Sequence, residues 1–134
     1  MTIDNLKTQD RSEMKDNIVM EKSFRFALSI IKISNWLIRE KHEFILSKQL
    51  LKSGTAIGAL VKETEHAQSK ADFINKMNIA LKEANETEYW LMLLIESEYN
   101  AESTILSLLE DCKELIRLLV SIVKTSKELY GSKY

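Results

Sequence analysis

An all-α fold, an up-down-up-down antiparallel four-helix bundle, is what this sequence predicts, and three observations predict it. The 134 residues contain no proline and only three glycines, so little in the chain interrupts a helix. Apolar residues recur every three or four positions through four separate stretches, the spacing that lines one face of an α-helix. Short polar segments join those stretches, and short connections make successive helices antiparallel neighbours. Charged residues form 29% of the chain and hydrophobic ones 45%, a balance that suits one folded domain with its own core rather than a disordered chain.

The first fifteen residues, MTIDNLKTQDRSEMK, have no apolar h-region and read as a polar N-terminal arm (residues 1–15), which leaves residues 16–134 for the bundle. The first helix is expected from about residue 17 to 41, with Asp16 or Asn17 as N-cap, because either side-chain oxygen accepts an orphan backbone N–H. Phe26, Ile30, Ile33 and Leu37 form its apolar stripe, and Phe24, Ala27, Leu28 and Ile31 widen it. After the polar segment REKHE, a second helix is expected from about 44 to 67. Ser69 followed by Asp72 is a capping-box start for a third helix, about 70 to 97, in which the carboxylate turns back to the cap residue's N–H. Asn100 is the expected cap of the fourth helix, about 101 to 129, and Gly131 its left-handed stop. In that helix Ile105, Leu108, Cys112, Leu115, Leu119, Ile122, Ser126 and Leu129 step by threes and fours, while Leu109, Ile116, Val123 and Tyr130 recur on an adjacent strip. One bundle needs one strip per helix, so the wide faces of the first and fourth predict apolar surface covered by another protomer.

Gly54 and Gly58 stand four apart inside the second helix, where each costs about 1 kcal/mol relative to alanine. With Ser53, Ala56 and Ala59 they make a small-residue face on which another helix can approach closely. The expected close-packing set is Gly54, Ala56, Gly58 and Trp90, with Phe73 and Trp90 of the third helix as the large partners. Lys52, Lys62 and Glu63 flank the glycines and argue against a membrane helix, and no apolar run reaches the roughly 18 residues a span needs.

The chemistry the sequence offers is sparse. Glu63-x-x-His66 has the form used in metal-binding bundles, but such sites need the motif twice plus two further glutamates, and His42 has Arg39 at the matching position. No metal or cofactor is expected. Cys112, the single cysteine, excludes an intramolecular disulfide and sits on the helix seam as a small hydrophobe rather than a nucleophile. With no targeting segment either, a cytoplasmic location is the expectation. Ser53 and Ser69 lack triad partners, the Glu83, Glu86, Glu88 cluster reads as a solvated face beside Lys82, and there is no glycine-rich phosphate loop. Enzymatic activity is not expected.

A basic stripe is the strongest candidate for a binding surface. Lys15, Lys22, Arg25, Lys32 and Arg39 share a face of the first helix, and Lys48 and Lys52 begin the second. Lys22, Arg25, Lys32, Arg39, Lys48 and Lys52 are therefore the candidate nucleic-acid-binding residues, with Trp36 and Trp90 available for base stacking or for the core. The competing reading is a solvated face with Glu21, Glu40 and Glu43 interleaved, which the net charge of −1 favours.

Three segments carry a family resemblance: Ser53-Gly54-Thr55-Ala56-Ile57-Gly58, Ser69-Lys70-x-Asp72-Phe73, and Lys82-Glu83-Ala84-x-Glu86-Thr87-x-Tyr89-Trp90-Leu91. With them, residues 47–94 resemble the bacterial four-helix bundle proteins related to the 23S ribosomal RNA intervening-sequence proteins, also called S23-like, and SFRFALSI (23–30) is similar to that family's first helix. The resemblance spans about residues 20 to 127. It implies an up-down four-helix bundle assembling as a homopentamer, with no catalytic residues to carry over. Where the family often has Ser-Ile-Gly-Ala-Asn, this chain has Ala56-Ile57-Gly58-Ala59-Leu60, which keeps the glycine and replaces two polar side chains. The function expected is a non-enzymatic oligomeric protein binding structured RNA, or other nucleic acid including DNA, through the phosphate backbone. The alternative is a protein–protein assembly or adaptor module whose partner is encoded nearby.

Overall fold

The computed structural model describes residues 3–97, 99 and 103–130, with side chains from residue 11 onward. The described residues form four helices, α1 (Ile3–Lys41), α2 (Leu46–Glu63), α3 (Lys70–Glu96) and α4 (Ser103–Tyr130), with a 3₁₀ turn, Thr64–His66, after α2. Among the described residues there is no β-strand. The expected caps Asn100 and Gly131 lie outside the described residues.

Helix α1 is longer than its apolar pattern predicts. It begins at Ile3, so Asp16 and Asn17 lie inside it rather than at its start. The helical spacing continues in polar residues upstream of the apolar stripe: Ser12, Lys15 and Asp16 are half-buried and lead on to the fully buried Val19. Lys15 Nζ donates to Thr125 Oγ1 of α4 at 3.1 Å, a contact no hydrophobic periodicity announces. Helix α2 starts and ends inside the expected 44–67 span, its C-terminal turn tightening to 3₁₀ geometry.

The capping box at α3 forms by half. Asp72 N donates to Ser69 Oγ at 3.0 Å, whereas the Asp72 carboxylate accepts from Gln68 N at 3.0 Å instead of from the N–H of Ser69. Lys76 pairs with that carboxylate at 2.8 Å and, with the Gln68 amide, holds the Asp72 carboxyl below its ordinary range.

Each helix packs on two neighbours: α1 on α2 and α4, α3 on α2 and α4. Contacts fix the register. Gly54 lies against Ile30 and Gly58 against Ser23, so residue numbers fall along α1 as they rise along α2. Ser53 of α2 is hydrogen-bonded through its hydroxyl to that of Thr87 on α3 at 2.9 Å, and Cys112 Sγ of α4 donates to the Ala84 carbonyl of α3 at 3.3 Å.

The core is built from the stripes the spacing picks out. Phe26, Ile30, Ile33 and Leu37 of α1 are buried, as are Ile105, Leu108, Cys112, Leu115, Leu119 and Ile122 of α4. Leu50, Ile57, Met77, Leu91 and Leu94 complete it from α2 and α3. Each large aliphatic side chain buried this way contributes roughly 1.5–3 kcal/mol. The second apolar set of α1 stays outside: Phe24, Leu28 and Ile31 are exposed.

The glycines face a different helix from the one expected. A Cβ on Gly54 would lie 2.8 Å from Ile30 Cγ1, and one on Gly58 would lie 3.2 Å from the Ser23 carbonyl oxygen. The glycines therefore admit α1 rather than the expected Trp90 and Phe73 of α3, while Ser53 beside them faces Thr87 of α3. Ala56 is half-buried, and Trp90 is half-buried too, edge-on to Tyr89 with 5.3 Å between ring centroids.

Candidate nucleic-acid interface

The six candidate cations are not equivalent once the helices pack. Lys22 Nζ lies 2.7 Å from Glu114 Oε1 of α4, and that carboxylate raises the Lys22 ammonium above its ordinary pKa. Arg25 is held by Glu21 one turn earlier, at 3.1 Å. Asp111 stands in the same α1–α4 groove, its carboxyl pushed up by burial and by Glu114. A phosphate here would meet carboxylates, which sets Lys22 and Arg25 apart from the other four candidate cations.

Lys32, Arg39, Lys48 and Lys52 remain. All four are exposed, and among the described residues no carboxylate lies within ion-pairing distance of them. They occupy the C-terminal half of α1 and the N-terminal half of α2, on either side of the turn at residues 42–45. Trp36 is half-buried beside Lys32, with Lys41 Nζ 5.4 Å from its ring centroid in a cation–π contact.

The turn itself is tightly specified. His42 adopts a left-handed backbone, φ 52°, and Glu43 N donates to Leu37 O at 2.9 Å. Glu43, only 7% exposed, caps α2: its carboxylate accepts from the amides of Ile45, Leu46 and Ser47 at 2.9, 2.7 and 2.8 Å. Negative charge at that position also suits the helix dipole. Glu43 thus turns inward and does not offset the basic stripe as its place in the sequence suggests.

That geometry pushes two apolar residues out. Phe44 is 60% exposed and Ile45 76% exposed, with the His42 ring 6.4 Å from that of Phe44. Sequence reasoning overlooks this pair because a helix beginning at 44 would absorb both into an amphipathic face. The signal available was a Phe-Ile dipeptide directly after a glutamate three residues ahead of the first helical position.

A second surface runs along the side of the bundle. Met20, Phe24 and Ala27 of α1 and Thr55, Gly58 and Ala59 of α2 line an apolar groove of about 700 Å³. Phe24, 64% exposed, stands at its edge.

Other features are chemically quiet. Burial pushes the Cys112 thiol up to about 12, which keeps it protonated at neutral pH. Glu63 and His66 are exposed, and among the described residues no three metal-ligating side chains come together. Among those residues no helix is long and apolar enough to cross a membrane. Asp16 is the exception, with Oδ1 buried and unpartnered and its carboxyl pushed up to about 6, first by burial and then by Glu13.

Known proteins fit this description. A crystal structure of a protein of unknown function from the S23 ribosomal protein family of Bacteroides thetaiotaomicron is 55% identical and covers 82% of this chain and 98% of its own, with a TM-score of 0.79. Among curated proteins none matches the chain. The model of the 23S rRNA-intervening sequence proteins matches residues 15–121, from within α1 into α4, and the chain belongs to that family.

Proposed function

We propose that the protein is a non-enzymatic, cytoplasmic, oligomeric bundle that binds structured RNA through the phosphate backbone. The observation that carries this reading is the division of the basic stripe. Lys22 and Arg25 are paired with Glu114 and Glu21, whereas Lys32, Arg39, Lys48 and Lys52 stay exposed without carboxylate partners among the described residues. Such cations gain most from a polyanion, because phosphate contact releases condensed counterions.

The register of contacts supports an up-down-up-down antiparallel order, since 54 lies against 30 and 58 against 23. The uncovered α1–α2 groove supports assembly of copies, in our reading a homopentamer five times the 15.5 kDa chain mass. Light scattering at micromolar concentration tests this, and a mass of one chain refutes it.

Fluorescence anisotropy of labelled hairpin RNA, single-stranded RNA and duplex DNA at two salt concentrations tests the binding. Salt-sensitive binding that is lost in a Lys32→Glu/Arg39→Glu/Lys48→Glu/Lys52→Glu variant and kept in Lys22→Gln/Arg25→Gln is the expected result. No binding at low salt refutes the RNA reading. A second reading, an assembly module engaging a protein encoded nearby, is favoured by exposed Phe24 on an apolar groove. Partner binding with weak salt dependence, lost on Phe24→Glu, is its signature.

A further inference from the structure

Phe44 and Ile45 differ from the other exposed apolar residues of the bundle. Phe24, Leu28 and Ile31 lie along the side of α1, where another helix can cover them. Phe44 and Ile45 lie past the end of α1 and before the start of α2, so they cap one end of the molecule. The lining of the α1–α2 groove lies at residues 17–27 and 55–62, away from that end.

The turn that presents them is rigid. Three amides converge on the buried Glu43 carboxylate, the Ser47 hydroxyl donates to the Glu43 carbonyl at 2.7 Å, and His42 fixes the exit of α1 with its left-handed backbone. A side chain held on such a support loses little conformational freedom when it binds. Cations outnumber exposed carboxylates around the turn: Arg39 and Lys41 precede it and Lys48 follows it, against exposed Glu40, while Glu43 is buried under the amides.

An exposed aromatic ring flanked by cations matches one chemistry closely, a polyanion that also offers planar apolar faces. We infer that the α1–α2 turn receives an unpaired base of RNA, which stacks on Phe44 while Arg39, Lys41 and Lys48 hold the adjacent phosphates. Fully paired RNA offers the phosphates but hides the base faces, so the turn distinguishes looped from paired RNA. This rests on the RNA reading above and narrows it to unpaired nucleotides at one end of the bundle.

The test compares a hairpin with an unpaired loop and a fully paired duplex of equal length, by anisotropy, with wild type, Phe44→Leu and Arg39→Gln/Lys48→Gln. Phe44→Leu keeps apolar bulk and removes the ring. The inference expects wild type to prefer the hairpin, Phe44→Leu to lower hairpin affinity about tenfold with duplex affinity unchanged, and the cation variant to weaken both. A 2-aminopurine in the loop should be quenched by wild type and not by Phe44→Leu. If wild type binds hairpin and duplex equally and Phe44→Leu changes neither, this inference fails while the RNA reading stands. If no RNA binds at low salt, both fail. Loss of subunit mass in Phe44→Leu, or binding of wild type but not the variant to anionic phospholipid vesicles with no change toward RNA, also overturns it. Because Phe44 is 60% exposed, the variant folds, and an unchanged urea midpoint confirms that.

Discussion

Replacing Gly54 with alanine pits two effects of similar size against each other. Alanine in a helix interior gains about 1 kcal/mol over glycine in propensity. Its Cβ would stand 2.8 and 2.9 Å from the two Cγ atoms of Ile30 and 3.1 Å from Cδ1. Ile30 is fully buried and branched at Cβ, so its γ carbons cannot swing aside as the tip of a lysine could. Restoring ordinary contact requires α1 and α2 to part by about half an ångström, and overpacking of this kind costs roughly 1–3 kcal/mol. Gly54→Ala should therefore destabilise the bundle by a net ~1 kcal/mol. In an Ile30→Ala background the obstructing atoms are gone, and the same substitution should stabilise by about 1 kcal/mol through propensity alone. Urea midpoints of the four proteins, combined as a double-mutant cycle, should give a coupling of about 2 kcal/mol and a change of sign. If Gly54→Ala stabilises equally in both backgrounds, the close approach of α1 is not what glycine serves at this position.

Three further outcomes are expected. Gly58→Ala should be near neutral, because its Cβ meets the Ser23 carbonyl oxygen at 3.2 Å and the Ser23 hydroxyl at an ordinary 3.6 Å, and the propensity gain offsets the closer contact; a loss above about 2 kcal/mol in the urea midpoint contradicts this. Glu43→Ala should cost about 3 kcal/mol, since three amide donors at the start of α2 lose a charged acceptor, whereas Glu43→Gln should recover part of that loss. Asp16 has a folded pKa of about 6 against 3.8 for the free side chain, so its favourable contribution is present below pH ~3.8 and is lost as pH rises through 6. Asp16→Asn should accordingly stabilise by about 1 kcal/mol at pH 7, a figure reduced for the residue's partial exposure, and by nothing at pH 3; equal effects at both pH values would refute it.

Regular apolar spacing made the interior of α1 and α4 readable, from Phe26 to Leu37 and from Ile105 to Ile122, because burial of one stripe per helix is all that a bundle demands of its sequence. Ser69 announced α3 for a similarly local reason. Features that depend on a second helix were not readable. Lys15 of α1 is tied to Thr125 of α4 by a polar contact, and periodicity of hydrophobic residues does not register it. The glycine face was evident, but its occupant was not: small residues say that something comes close without saying from which side. Of the candidate site, the cations were legible as a stripe, and its partition was not, because Glu114 reaches Lys22 across 92 positions of sequence. Phe44 and Ile45 were hidden by a boundary error of two residues at the start of α2.

The ring of contacts, α1 to α2 to α3 to α4 and back to α1, also bears on how the chain folds and opens. Three of its four seams join helices consecutive in sequence, so they form as hairpins with little loop-closure entropy, and a bundle of this kind folds quickly. The fourth seam has no connecting turn and joins the two ends of the chain. It is also where charge and hydroxyl pairs, Lys22 with Glu114 and Lys15 with Thr125, do much of the surface bonding. Opening should therefore start along α1 and α4, with their amides exchanging before those of α2 and α3, and uniform protection of all four helices in hydrogen exchange would refute this.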